Sequence, residues 1–360
     1  MPEGLTIAGV FTEFPDRRLR RFAPADSDGV NRLSLALTAD YDGHQDKWVE
    51  NRYGRDQSED SDGFFTRENG LVVIGEPGKP TGMISYARKR GDSLKFNTLS
   101  AENPRIGALL ARNLVELAKS NSQLRTLYAT ASSNNRNVLG LLDHLGFQPE
   151  ALLPDQYKDG SCEVVMGMVL KPTVTTPASE NMAHPGSEKT ASSREFNNLR
   201  DNEELDRLFE YLSGWHDDVG RDFLEATIKG ADRGLLDVAR KGKAIFVAEK
   251  ADRRTEAVAI LDPKYDLSGA VVLTAKMGGA MKMYPLIGDE VSQRELTRVA
   301  KEVALRNKFR VIYTFSPVSD SKEAAILDEL GFEIRGVLRE PYKPGVDLIP
   351  WSARTEELRM

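Results

Sequence analysis

The 360-residue chain has a single cysteine, Cys162, so neither an internal disulfide nor a cysteine cage for a metal can form. Its four histidines, His44, His144, His184 and His216, lie far apart with no ligand-type spacing, so no metal is expected. No apolar run approaches the roughly 20 residues that cross a bilayer. The short apolar stretch Leu5 to Phe11 has no basic residue before it, as a secretory signal would. These absences predict a cytoplasmic protein with no membrane partner. Positive charge is not in surplus either: 49 Lys and Arg stand against 55 Asp and Glu, a net charge of −6. That balance argues against a nucleic-acid partner. Arg17, Arg18, Arg20 and Arg21 alternate around Leu19 and Phe22 and read as the exposed flank of a strand.

What the chain does contain is itself, twice. Shifted by 185 residues, Arg125 to Gly160 falls on Arg310 to Gly345 without a gap, and 11 of 36 positions are identical. The identities include Tyr128/Tyr313, Leu142/Leu327, Gly146/Gly331, Phe147/Phe332, Tyr157/Tyr342 and Lys158/Lys343. A period this long marks a duplicated domain rather than a solenoid. Between the copies, Pro172 to Ser193 holds no aromatic residue and no Leu or Ile. It cannot bury enough apolar surface to offset its ordering entropy, so a flexible linker is expected there. The organisation predicted is an N-terminal extension (1–16), a first domain (17–171), the linker (172–193) and a second domain (194–360).

Periodicity makes both domains α/β. In the first, strands are expected at Leu19 to Phe22, Leu71 to Gly75, Thr81 to Ala87, Leu94 to Leu99 and Leu124 to Ala131. Helices are expected over Pro24 to Leu37, along the stripe Ile106, Leu109, Leu110, Leu114, Leu117 and Ala118, and over Val138 to Leu145. A closing hairpin joins Ala151 to Tyr157 with Glu163 to Leu170. The second copy follows with strands at Ala244 to Glu249, Glu256 to Leu261, Val271 to Thr274 and Val311 to Phe315. Its helices span Val291 to Leu305 and Lys322 to Leu330, and a hairpin turns around Lys343-Pro344-Gly345. Gly146 and Gly331 end helices in the left-handed conformation, and Phe147 and Phe332 begin buried strands. Trp351, on the last strand, is placed under the linker.

This order of elements resembles the GNAT (Gcn5-related N-acetyltransferase) fold. The residues carrying the resemblance are Asn135 followed by VLGLLDHLGF, and Asp320 followed by EAAILDELGF, each running on to a YK-x-G turn and a final strand. The whole looks like two tandem GNAT-like domains, each a central mixed sheet flanked by helices. The resemblance implies an acetyl-CoA-dependent N-acyltransferase acting by direct transfer on a small-molecule amine or a Lys-containing substrate. The rival expectations are a catalytically inactive tandem scaffold or regulatory binding protein, and an aminoacyl transferase that uses charged tRNA, for which no basic docking face is evident.

Acetyl-CoA carries a pyrophosphate, which a helix N-terminus can bind through its backbone N–H groups. The family's Q/R-x-x-G-x-G/A stretch falls on Glu102-Asn103-Pro104-Arg105-Ile106-Gly107-Ala108. Arg105, Ile106, Gly107 and Ala108 are therefore cofactor-binding candidates, with Asn135 after the fifth strand. Glu102 and Arg105 depart from the pattern, and Glu102 would repel a phosphate unless it points away. A backbone N–H near Leu99 or Ser100 would take the thioester carbonyl. In the second copy the stretch runs from Met277 to Glu290, where Gly278-Gly279 come too early and Asp289-Glu290 open the helix with negative charge. Cofactor binding is therefore expected in the first domain. Leu142 and Leu327 occupy the position where many family members have a tyrosine acid. Tyr157 is the substitute acid, Tyr342 its counterpart, and Glu163 the candidate base.

Overall fold

The computed structural model describes residues 19–35, 68–89, 92–156, 158–171, 191–195, 243–250, 266–276, 279–343 and 345–359. Two compact units emerge, one of residues 1–174 with 339–342 and one of 175–338 with 343–360.

The first unit is a seven-stranded mixed sheet in the order β1-β2-β3-β4-β5-β7-β6. Its strands are β1 (Leu19–Arg21), β2 (Glu68–Glu76), β3 (Lys79–Lys89), β4 (Ser93–Ala101), β5 (Thr126–Ser132), β6 (Gln148–Pro154) and β7 (Cys162–Val169). Only β4 and β5 pair in parallel. Parallel neighbours need a crossover, supplied by the 17-residue helix α2 (Pro104–Ser120). A short helix α1 (Ser27–Leu35) precedes β2, and α3 (Arg136–His144) follows β5. Strand side chains alternate between faces. Leu94, Phe96, Leu127 and Ala129 therefore join the α2 residues Leu110, Ala111, Leu114 and Val115 in the main core. Leu71, Val73 and Met83 pack on the other face with Val30 and Leu33 of α1.

Arg20 is not the solvated flank expected of it. Its guanidinium donates to both carboxylate oxygens of the fully buried Asp26, at 2.5 and 2.7 Å, and to the carbonyls of Gly75 and Glu76. That pairing holds the Asp26 carboxyl at about 2 and ties the β2–β3 hairpin to the 3-10 turn Pro24–Asp26.

The second unit is an eight-stranded sheet in the order β13-β15-β12-β11-β10-β9-β8, with a further strand paired to β15. Its strands are β8 (Ala191–Glu195), β9 (Lys243–Lys250), β10 (Asp266–Lys276), β11 (Ala280–Gly288), β12 (Val311–Pro317), β13 (Glu333–Ile334), β14 (Leu338–Lys343) and β15 (Val346–Arg354). Its helices are α4 (Glu290–Arg306) and α5 (Ser321–Glu329). The single parallel pair is again β11 with β12, bridged by α4. Corresponding elements match in length: 11 residues in β3 and β10, nine in β4 and β11, 17 in α2 and α4, and nine in α3 and α5. The likeness between the two units thus runs well beyond the 36 residues in which it is visible by identity.

The expected strand and helix positions hold to within a few residues. Three readings change. Residues 280–288, placed in the stretch leading into the helix and given no element of their own, form strand β11, so Gly279 (φ +77°) precedes a strand. Ala191–Ser193, counted with the linker, pair with β9, and the stretch 172–190 lies outside the described residues. Trp351 belongs to the second unit's core, with its indole N–H donating to Ser316 Oγ at 2.8 Å. The expected strand Glu256 to Leu261 lies outside the described residues.

The Gly-Phe pairs behave as expected. Gly146 (φ +94°) and Gly331 (φ +89°) close their helices, with Phe147 N–H donating to Leu142 O and Phe332 N–H to Leu327 O. Both phenylalanines are buried in their cores. A second matched pair of glycines escaped sequence reading. A Cβ on Gly82 would lie 2.6 Å from Ile106 Cγ2, and one on Gly269 would lie 2.8 Å from Ser292 Cβ. Each glycine lets the first turns of the crossover helix sit against the sheet.

Candidate functional site: a forked strand pair between two helix ends

In the first unit β4 and β5 pair from Ser93↔Thr126 to Phe96↔Ala129 and then part. Beyond that point Thr98 to Ala101 pair only with β3, and Thr130 to Ser132 only with β7. Asn97 is the extra residue of a bulge against β3, between the pairs Tyr86↔Phe96 and Ser85↔Thr98. A bulge bends and twists its strand, which turns β4 away from β5. Backbone N–H groups alternate sides along a strand. One of the neighbours Leu99 and Ser100 therefore aims its N–H into the gap rather than at β3. The Ser100 hydroxyl is already used, donating to Leu33 O at 2.7 Å, so Ser100 can serve a ligand only through its backbone.

Two helix N-termini flank the gap. Asn103 caps α2, accepting from Ile106 N–H at 3.1 Å. Asn135 caps α3, accepting from Val138 N–H at 3.2 Å. Pro104 occupies the first position of α2, where its missing N–H costs nothing. Arg105 follows it, exposed and with no partner among the described residues. Arg136, at the first position of α3, is likewise exposed and without a partner among the described residues. Cations at helix N-termini oppose the helix dipole, so these two arginines gain nothing from the helices they open. Sequence reasoning found Arg105 and missed Arg136. The available signal was a cation opening a helix next to a cap residue. Glu102 is turned to Arg32 of α1, at 3.2 Å, which offsets the negative charge expected to oppose an anion here. Ile106 and Ala108 are half-buried and Gly107 is buried. An added Cβ at Gly107 would meet only Ala101 Cβ, at 3.7 Å, so protein packing does not require glycine at that position.

On the face of β5 opposite α2 stand Tyr128, Thr130 and Ser132, with Lys95 Nζ 5.9 Å from the Tyr128 ring centroid. Glu163, on β7, is the register partner of Ser132 and is buried, so it sits one strand from the gap on the same face. Tyr157 lies outside the described residues, as does the side chain of Tyr342. Leu142 and Leu327 are buried in their cores. Among the described residues no group of three or more His, Cys, Asp or Glu is placed to hold a metal, and no helix is long and apolar enough to cross a membrane.

The second unit forks at the same place and is filled. Its last parallel pair is Lys282↔Tyr313, after which β11 bulges at Tyr284-Pro285. The Tyr284 and Phe315 rings then meet across the gap, edge to face at 5.5 Å, and Phe315 also packs on Tyr313 at 5.9 Å. Lys282 Nζ lies 4.4 Å from the Tyr284 ring and 4.8 Å from the Phe315 ring, and all four side chains are buried. Its helix caps are acidic: Asp289 accepts from Ser292 N–H and Asp320 from Glu323 N–H, both at 3.0 Å. Glu290 adds a further negative charge at the start of α4.

The geometry in each unit is that of a mixed α/β sheet with a forked parallel pair. Several solved structures are similar over about two fifths of the chain. A protein from Desulfovibrio desulfuricans named as a GNAT-family acetyltransferase shares 16% identity, with a TM-score of 0.35, over 42% of this chain and 98% of its own. A protein from Salmonella typhimurium, named as an acetyltransferase and solved with its cofactor acetyl-CoA, shares 17% identity, with a TM-score of 0.36, over 44% of this chain and 97% of its own. The ribosomal-protein-alanine N-acetyltransferase of Brucella melitensis shares 19% identity, with a TM-score of 0.34, over 42% of this chain and 98% of its own. No family model and no curated protein matches the chain.

Proposed function

We propose that the chain is an acetyl-CoA-dependent N-acyltransferase that acetylates a primary amine by direct transfer, with the chemistry in its first unit. The observation that carries this reading is the contrast between the two forks. One has no ring pair across its gap among the described residues, is capped by neutral asparagines and is flanked by two arginines without partners among those residues. The other is filled by aromatic rings and capped by aspartates. A diphosphate suits the first set and is repelled by the second.

The parts take the following roles. The pyrophosphate lies over the start of α2, near Arg105, Ile106, Gly107 and Ala108, with Asn135 and Arg136 on the opposite lip. The thioester carbonyl accepts from the backbone N–H of Leu99 or Ser100, which stabilises the charge that builds on its oxygen. The amine nitrogen attacks the carbonyl carbon, the new C–N bond forms, and the C–S bond breaks. Glu163 takes the amine proton, directly or through water, and Tyr157 returns a proton to the departing thiolate. The acceptor is a small amine or a Lys side chain.

A second reading, a tandem fold without catalysis, is favoured by the buried Leu142 in place of the family's acid. Isothermal titration of acetyl-CoA into the intact chain and into Arg105→Glu separates the two. The enzyme reading expects micromolar binding that weakens at least tenfold in the variant. Binding unaffected by Arg105→Glu moves the site elsewhere, and no binding at all leaves only the scaffold.

A further inference from the structure

Two hydrogen-bonding groups at the bulge of β4 are buried and unused. The Ser85 side chain is fully buried and its Oγ has no partner among the described residues, and the Asn97 Nδ2 is buried and has none there either. They stand at adjoining positions. Asn97 is the bulged residue and Ser85 pairs with the next residue along, Thr98. Ser85 lies on the α1 side of the sheet, since its neighbours Ile84 and Tyr86 belong to the core on the opposite face. Asn97 is the first residue of β4 beyond its pairing with β5.

A buried, unpaired donor costs on the order of 1–3 kcal/mol, so native chains rarely keep one without a use. Here two stand at adjoining register positions where the sheet opens. The other copy of the domain supplies the control. By register, Ser85 corresponds to Val272 and Asn97 to Tyr284, both buried. Where the fork is filled, both positions have lost the amide and hydroxyl found in the first unit.

We infer that the Ser85 hydroxyl and the Asn97 side-chain amide form a receptor for a carbonyl oxygen at the root of the fork. This deepens the acetyl-transfer reading and rests on it for the identity of the ligand. Both groups can donate, and neither is ionised, so together they favour a neutral acceptor with two lone pairs over a carboxylate or a phosphate. An amide carbonyl fits, and it has two sources within reach of an acyl transfer. One is the pantetheine arm of coenzyme A. The other is a carbonyl next to the acceptor amine, as in an amino-acid amide or a peptide N-terminus.

The test uses the intact chain with Ser85→Ala and Asn97→Ala, and coenzyme A, glycinamide and ethylamine as probes. Binding is followed by titration and by the ¹⁵N shift of the Asn97 side-chain amide in the parent protein. Ser85→Ala is expected to leave thermal stability unchanged or raised, because it removes a hydroxyl that pairs with nothing. Loss of one neutral hydrogen bond should weaken the recognised probe roughly three- to tenfold and leave ethylamine unaffected. A loss confined to coenzyme A assigns the carbonyl to the pantetheine arm, and a loss confined to glycinamide assigns it to the acceptor. Unchanged affinity for both carbonyl probes, an Asn97 amide that does not shift with either, or a Ser85→Ala variant that melts early overturns the inference. Coenzyme A and glycinamide both bound by the two variants as well as by the parent would sink this receptor and leave the acetyl-CoA reading standing. Glycinamide recognition that depends on Ser85, in a chain that ignores acetyl-CoA, would do the reverse.

Discussion

The two forks share one backbone plan and differ in chemistry. Each has a bulge on the strand before the crossover helix, a parallel pair three or four residues long, and a helix starting at each strand's C-terminal end. Against that common frame, Asn103 and Asn135 become Asp289 and Asp320, Arg136 becomes Ser321, and Thr130 becomes Phe315. The first unit thus keeps features that cost stability: unpaired buried donors and cations at helix N-termini. At its fork the second has acidic caps, rings that meet edge to face and an ammonium held beside them, although it too buries polar atoms without partners among the described residues, Thr314 Oγ1 and Glu323 Oε1 among them. Sites are held against the grain of stability, and the proposed function rests on that contrast at the two forks.

The largest expected effect comes from giving the second fork the first one's residue. Phe315→Thr removes a buried ring that bridges the gap, and loss of a core aromatic costs about 3–5 kcal/mol. Chemical denaturation should show that loss. Acetyl-CoA titration should show no new site, because Asp289 and Asp320 remain. A second binding event in this variant would mean that the rings alone, and not the charges, silence the second unit.

The converse exchange tests charge without disturbing the fold. Asn and Asp are nearly equivalent helix caps, so the double variant Asn103→Asp, Asn135→Asp should melt close to the parent. Two negative charges facing a diphosphate should nevertheless weaken acetyl-CoA on the order of a hundredfold, about 2.7 kcal/mol. Equal affinity in a calorimetric titration would remove the caps from the account of the site.

Much of this was legible in the sequence, for physical reasons that also explain what was not. Helix stripes such as Ile106 to Ala118 and the Gly-Phe endings are local, so they show in one copy and repeat in the other. The two glycines under the crossover helices, Gly82 and Gly269, answer to contacts made some 24 residues downstream in sequence (Ile106 and Ser292), and no local pattern announces them. Strand β11 was hidden because the Gly278-Gly279 pair before it and the Pro285 at its bulge mimic loop composition. Arg136 and the Asn97–Ser85 pair matter only once the point where β4 leaves β5 is known, and that point is a property of register. Tyr157, chosen from the sequence as the acid, lies outside the described residues and stands as a proposal.

A third difference between the units concerns Glu323. It is 1% exposed, its Oε1 has no partner, and it occupies the place of Val138 in the first unit. Burial, followed by the nearby Asp320, raises its pKa well above 4.5. A carboxyl whose folded pKa lies above its unfolded value binds a proton more tightly when folded, so its contribution to stability falls as pH rises from about 4.5. Glu323→Val should therefore stabilise the second unit at neutral pH by roughly 1–3 kcal/mol. The gain should shrink toward pH 4, as thermal melts across that range would show. A gain independent of pH would mean that volume, not ionisation, is at fault there.

The smallest expected change in stability separates packing from ligand approach at Gly107. In the first turns of a helix, glycine costs about 0.5–1 kcal/mol relative to alanine. The only atom an added Cβ would meet is Ala101 Cβ, at ordinary contact distance. Gly107→Ala should therefore melt slightly higher than the parent. If the diphosphate rests on this turn, the same methyl group stands between it and the backbone, and acetyl-CoA binding should weaken several-fold. At the corresponding position of α4, Gln293 is already buried, its amide donating to Gly288 O at 3.1 Å. The second unit has thus filled the space that the first leaves clear. A Gly107→Ala protein that is more stable and binds acetyl-CoA as well as the parent would place the diphosphate off this helix and leave the glycine without a function.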